Sequence, residues 1–296
     1  MIQIFRCAGS GIGFIEPACS SYEYYPRESH VTQCRESSPI NIRIIEILIN
    51  QYNMIQWHVG CSGFYYKHWK EIFYPKDVPQ RAWFEFYCRH FNTLELNVTF
   101  YRFPEISMLG KWYATSSENF IFSVKAPKLI THFKKLNDCD KLISDFYHVV
   151  QEGLKEKAGC YLFQFPPRFH YTAERLDTII RYLDPSFPNV VEFRHSSWWD
   201  EAVYKLLGKH HISFSGMSHP LLPGTVVKNT SLLYYRMHGI PDLYKSPYSV
   251  ADLRKTIKTI ETSAGIKKAF VYFNNDIGGS AITNAKQMTQ IMKPNM

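Results

Sequence analysis

Short apolar runs alternate with stretches of helical periodicity from residue 56 onward, and this alternation predicts βα units built around a parallel sheet. Eight runs carry the pattern: 56–62, 93–101, 120–126, 159–165, 189–195, 212–218, 231–238 and 268–275. Amphipathic stretches at 79–91, 140–157, 172–183, 200–210, 249–263 and 280–292 lie between or after them. Eight such units in about 240 residues match an α/β fold of the (β/α)8 TIM-like barrel type. The segment after the sixth run, LLPGTVVKN, is too short and too punctuated by Pro and Gly for a helix, so one βα unit is expected to be degenerate. An open doubly wound sheet is the alternative architecture.

Within the runs a second pattern appears. Successive side chains of a strand point to opposite faces, and the outer face of a barrel strand must be apolar against its helices, so polar sets are expected to point inward. Leu94, Leu96 and Val98 oppose Glu95, Asn97 and Thr99. Phe122 and Val124 oppose Ser123 and Lys125. Phe163 and Phe165 oppose Gln164, and Val191 and Phe193 oppose Glu192 and Arg194. Leu233, Tyr235 and Met237 oppose Tyr234, Arg236 and His238; Val271 and Phe273 oppose Tyr272, Asn274 and Asp276. Barrel interiors are ordinarily filled with branched apolar side chains, and an unpaired buried charge costs several kcal/mol, so this inward polarity needs a cause. One cause is a closed salt-bridge network in which Glu95, Glu192 and Asp276 neutralise Lys125, Arg194 and Arg236. The other, favoured because His195, His238 and Asp276 fall at or just beyond strand ends, is a polar pocket at the C-terminal mouth.

Charge narrows the partner. The 296 residues carry 34 Lys and Arg against 26 Asp and Glu, a net +8, and such a chain attracts anions through its summed field. Seven cysteines without a CxxC pair argue against a disulfide framework and a zinc knuckle and fit a reducing, cytoplasmic setting. No apolar run approaches the roughly 18 residues of a membrane helix, so no membrane partner is expected. Residues 1–53 contain no Lys and hold Cys7, Cys19 and Cys34, and Met54-Ile55-Gln56 repeats Met1-Ile2-Gln3. The reading is a weakly ordered or non-native leader over 1–53 and a barrel domain over 54–296, with Met54 a functional start.

Several strings resemble a known family: GCSGFYYKHW (60–69), IFYP (72–75), FNTLELNVTFYRFP (91–104), FSVKAP (122–127), ITH (130–132), FQFPPRF (163–169), VEFRHSSWW (191–199), YYRMHG (234–239) and VYFNND (271–276). They resemble, in order, the YecE-like family, also known as domain of unknown function seventy-two. The resemblance implies a TIM-like barrel without an assigned activity. Two departures stand out: Cys-Ser-Gly-Phe occurs where the family often has Thr-Ser-Gly-Trp, and the leader has no family counterpart.

The residues themselves point to a small anionic ligand, phosphorylated or carboxylated. Lys125, Arg194 and Arg236 are the expected anion clamps, because guanidinium forks match oxyanions and Lys supplies a point charge. Ser62, Asn97, Gln164 and Asn274 are expected to line the same mouth, and Glu192, His238 and Asp276 are the acid/base candidates. Lys125 as an amine nucleophile is weaker than the clamp, and a structural ion pair with Glu95 or Glu192 is comparable to the clamp. No cofactor is expected; carboxylates and His238 are metal-ligand types, but no spacing motif supports a metal site. The rival reading is a nucleic-acid binding protein or phosphodiesterase, with Lys128, Phe133, Lys134 and Lys135 as a basic rim and Tyr65, Tyr66, Trp198 or Trp199 stacking on bases. Whether there is turnover, and the oligomeric state, are not written in the pattern.

Residues 54–296 produced without the preceding 53 are expected to be soluble and to unfold cooperatively. An insoluble product from that shorter chain, beside a folded full chain, refutes the boundary.

Overall fold

The computed structural model describes residues 55–293; the expected leader over 1–53 lies outside the described residues. Eight strands are present: β1 Gln56–Cys61, β2 Thr93–Leu96, β3 Ile121–Lys125, β4 Ala158–Phe165, β5 Asn189–Phe193, β6 Ser213–Ser218, β7 Leu232–Met237 and β8 Lys268–Phe273. Their order in the sheet is β1-β8-β7-β6-β5-β4-β3-β2, and all seven pairings are parallel. A doubly wound sheet reverses its strand order at a switch point; this sheet runs in sequence around a barrel. The fold is an α/β TIM-like barrel.

Among the described residues, seven α-helices longer than one turn follow the strands: α1 Trp83–Cys88, α2 Ile106–Thr115, α3 Asp140–Leu154, α4 Ala173–Tyr182, α5 Glu201–Lys209, α6 Val250–Glu261 and α7 Ser280–Met292. Polar caps start three of them. Thr172 accepts from the Arg175 amide and Asp200 from the Ala202 amide, while Ser249 and Asp252 form a reciprocal capping box. Residues 219–231 carry no helix, which is the degenerate unit expected from LLPGTVVKN. Two departures from the sequence pattern occur together. The second run stops being a strand at Leu96; Asn97 turns the chain, and Val98–Tyr101 form one helical turn that leaves Val98 exposed rather than packed outward. Helix α2, with Gly110 in its interior, is not singled out by the periodicity.

The ladder leaves one seam, between β1 and β2, where a single bridge joins Ser62 to Glu95. A side chain completes it. The Tyr87 hydroxyl from α1 accepts from the Cys61 amide at 2.9 Å and donates to the Thr93 carbonyl at 3.0 Å, joining the two strands through one buried oxygen. Gly60 makes this approach feasible, since a Cβ there would lie 2.5 Å from the Thr93 carbonyl and 3.0 Å from the Tyr87 hydroxyl.

The apolar residues separate into two layers as the alternation requires. Cys61, Leu94, Leu96, Val124, Phe163, Phe193, Tyr235 and Phe273 pack outward against the helices, and Cys160, Leu162, Val190, Tyr234, Phe270 and Tyr272 form a distinct inner cluster. Tyr87→Phe is expected to cost about 1–3 kcal/mol in urea unfolding, because it strands a buried amide and a buried carbonyl while barely changing volume. A change below the error of the measurement would mean that water closes the seam instead.

Candidate functional site

The strand ends bring the polar residues to one level. Ser62 follows β1, Asn97 follows β2, Lys125 ends β3, Arg194 follows β5, His238 follows β7 and Asn274 follows β8. Gln164 of β4 stands in register with Glu192 of β5. Parallel strands all end at the same rim, so alternation that aims one face inward gathers these side chains at the C-terminal mouth.

An ordered chain of contacts links most of them. The Tyr234 hydroxyl donates to Glu95 Oε2 at 2.6 Å, and Arg236 Nη2 donates to Glu95 Oε1 at 2.6 Å. Arg236 Nη1 donates to Glu192 Oε2 at 2.8 Å, and Arg194 Nε donates to Glu192 Oε1 at 2.6 Å. Glu95, Glu192 and Arg236 are all buried. Burial alone pushes the Glu192 carboxyl up, but Arg194 and Arg236 outweigh it and hold that carboxyl well below the ordinary range. The same two carboxylates raise Arg236 despite its burial.

His238 continues the chain. Its Nε2 lies 3.1 Å from Arg194 Nη2, and its Nδ1 lies 3.0 Å from the Asn274 amide. Guanidinium only donates, so Nε2 must accept, Nδ1 carries the proton, and Asn274 serves it best with its amide oxygen turned inward. Desolvation, then Arg194 and Arg236, lower His238 well below the usual imidazole range, which makes it a neutral orienting ring.

Lys125 stands apart from this chain. No carboxylate lies within ion-pair distance of its ammonium among the described residues; its Nζ instead faces the Phe100 ring, 4.1 Å from the centroid. Desolvation first, and the Arg236 charge second, lower it to about 7. The cationic field spreads across the mouth. Desolvation with Lys125 and Arg194 lowers His132 to about 4, and desolvation with Arg194 lowers His219.

Asp276 falls elsewhere. Its carbonyl accepts from His68 Nε2 at 2.8 Å and from Trp69 Nε1 at 3.1 Å, and its carboxylate lies 3.7 Å from His68. Burial pushes this carboxyl up. No hydrogen bond or ion pair ties it to Glu192, His238 or the three cations among the described residues. Asn97 donates to the Ser62 carbonyl at 3.3 Å, and its own Oδ1 is buried without a partner. Gln164 Nε2 donates to the Phe165 carbonyl at 2.9 Å. No group of three or more His, Cys, Asp or Glu among the described residues could hold a metal ion.

Residues 58–296 match the family model described as "Protein of unknown function DUF72". The chain belongs to the DUF72 family. The UPF0759 protein YunF of Bacillus subtilis is 26% identical over 276 residues, covering 79% of this chain and 94% of that one. UPF0759 protein YecE of Escherichia coli is 31% identical over 118 residues, 39% of this chain and 42% of that one. A DUF72 family crystal structure from Thermotoga maritima superposes with a TM-score of 0.73 at 27% identity, covering 80% of this chain and 99% of the other. A second, from Enterococcus faecalis, shares the fold with a TM-score of 0.70 at 19% identity, covering 81% and 97%.

Within this DUF72 barrel, the residues that sequence reasoning underweights are Glu95, Tyr234, Phe100 and His219. Inward parity flags Glu95 and Tyr234. Phe100 reaches Lys125 only because the chain turns after Leu96, and nothing in the alternation signals that turn. Of the aromatics expected to stack on bases, Trp198 is fully buried, stacked 3.9 Å from Phe193, while Tyr65 is exposed. Among the described residues, no helix is long and apolar enough to cross a membrane.

Removing the shared carboxylate is the sharpest test of the network. Glu192→Ala is expected to destabilise by about 3–5 kcal/mol, since it leaves Arg236 and Arg194 facing each other in a buried site, whereas Asp276→Asn should stay within about 1 kcal/mol. Equal losses at the two positions, measured by denaturant unfolding, would show that Glu192 is not the keystone.

Proposed function

We propose that the mouth of the barrel binds a small anionic molecule, phosphorylated or carboxylated, through Lys125 and Arg194. One observation carries this reading. Three cations, Lys125, Arg194 and Arg236, face two carboxylates, Glu95 and Glu192, and the two arginines take up both carboxylates. The remaining positive charge sits on Lys125 at the rim. A buried cation without a counter-charge is costly, and an incoming oxyanion removes that cost, so the imbalance itself favours an anion.

The roles divide by depth. Arg236, held on both terminal nitrogens by carboxylates, acts as a buttress for Glu192. Arg194 uses Nε on Glu192 and lies at the rim with Nη2 beside His238. Ser62, Asn97, Gln164 and Asn274 supply neutral polar groups around it, and the unpartnered Asn97 Oδ1 suits a ligand hydroxyl or amide. Of the three acid/base candidates, Glu192 is an ionised carboxylate with both oxygens on guanidiniums and His238 a neutral ring between Arg194 and Asn274, so in this arrangement they position the anion site, whereas Asp276, raised by burial, stands apart in the β8 loop beside His68. The cytoplasmic setting expected from cysteine usage agrees with a phosphorylated or carboxylated metabolite.

Sulfate is a useful probe, because its own charge does not change between pH 5 and 9. Calorimetric titration of the full chain is expected to give one site, weakened about tenfold by Lys125→Met or Arg194→Ala. The sign of the pH effect follows from Lys125. Its ammonium is lowered to about 7 in the free protein, so its charge is present below that value and is lost above it. Sulfate affinity should therefore fall as pH rises through about 7, and this dependence should vanish in Lys125→Met. Absence of sulfate binding, together with oligonucleotide affinity that collapses between low and moderate salt, would overturn the reading in favour of a nucleic-acid surface.

A further inference from the structure

Two lysines of this barrel are buried to a similar degree, with 5% of Lys157 and 9% of Lys125 exposed, and each lies over an aromatic ring, yet their hydrogen bonding differs completely. Lys157 Nζ donates to the Tyr113 carbonyl at 2.7 Å and to the Ser116 carbonyl and hydroxyl at 3.0 Å each. Three acceptors match the three protons of an ammonium. Lys125 Nζ has no acceptor among the described residues. It lies over the face of Phe100, a ring set edge-on against His132 with centroids 4.9 Å apart; Arg236 and Arg194 act on it from the polar layer as like charges, and Glu192 and Glu95, already taken up by those arginines, oppose them only in part. The ring face favours the ammonium, but desolvation and the neighbouring guanidiniums oppose it more strongly, so near neutral pH Lys125 is shared between the ammonium that holds an anion and a neutral amine with a free lone pair, the form that acts as a nucleophile.

We infer that Lys125 Nζ is an amine nucleophile that condenses with the carbonyl group of a small oxo-acid held at the mouth. The inference rests on the anion reading for the carboxylate end of that ligand, which Arg194 is placed to hold. In the reaction the Nζ lone pair bonds to the carbonyl carbon while the C=O π pair moves onto oxygen. One proton passes from nitrogen to that oxygen to give a carbinolamine. Its hydroxyl then departs with the remaining N–H proton as water, and a C=N bond forms. No oxidant or reductant enters the balance. The lowering of Lys125 to about 7 leaves a large neutral fraction at neutral pH, where exposed lysines keep almost none.

The full chain incubated with glyoxylate and cyanoborohydride, then digested and read by mass spectrometry, tests this. Reduction of the imine leaves carboxymethyl-lysine at the reacting position. Lys125 is expected to be modified about tenfold or more faster than the exposed lysines at pH 7, with a rate that rises through about pH 7 and is slowed by excess sulfate. Lys125→Arg, which keeps the charge but not the nucleophile, should give no adduct at that position. Modification spread over exposed lysines with Lys125 spared overturns the inference. If sulfate still binds in that case, the anion site stands and only the amine chemistry falls; if sulfate does not bind either, both fall.

Discussion

One carboxylate shared by two guanidiniums, inside a barrel and away from water, sets the arrangement of everything above it. Glu192 receives Arg236 on one oxygen and Arg194 on the other. A carboxylate buried alone would protonate, and a guanidinium buried alone would be strongly destabilising; together, with Glu95 completing the pairing of Arg236, they form a charged layer that is nearly balanced. The layer is rigid because each contact is charge-assisted and directional. Arg194 is thereby fixed with its outer nitrogen beside His238, and the imidazole tautomer follows from the donor it meets.

Polarity rises in steps along the barrel axis. The inner cluster of Cys160, Leu162, Val190, Phe270 and the rings of Tyr234 and Tyr272 fills the lower interior. The Tyr272 hydroxyl meets Thr93 and Ser123, and the Tyr234 hydroxyl meets Glu95, so two phenols convert an apolar floor into a hydrogen-bonded one. The charged layer rests on them. Tyrosine suits this boundary because its ring packs as an apolar body while its hydroxyl reaches a polar partner. Elsewhere, the Tyr87 hydroxyl plays a similar part at the seam between β1 and β2.

The contrast between Lys157 and Lys125 locates the chemically unusual point of the mouth. Each ammonium lies over an aromatic ring, Tyr113 for the first and Phe100 for the second, but folding gives the first three oxygen acceptors and the second none among the described residues, at the strand ends where barrel enzymes place their loops. An arrangement that leaves a buried cation without a counter-charge lowers stability, and sites of that kind are where function and stability part company. Asp276 could have supplied the counter-charge, yet it turns away to His68 and leaves the imbalance in place.

Much of this was legible in the residue order. A period of two in short runs, the eight-fold alternation with helical stretches, and the Pro/Gly break after the sixth run together specify a (β/α)8 barrel with one degenerate unit, because the outer face of every strand must be apolar. The same parity aimed Glu95, Lys125, Glu192 and Arg236 inward, since parity holds wherever the backbone stays extended. It fails where strands end. Asn97 turns the chain into a helical turn that carries Phe100 over Lys125, and the loop after β8 takes Asp276 out of the network. Which carboxylate meets which guanidinium was likewise decided only by barrel closure, which brings Arg236 to Glu95 across 141 positions of the chain. Local pattern governs which face a side chain joins; partners on the same face are chosen by strand order and register, and those exist only once the sheet has closed.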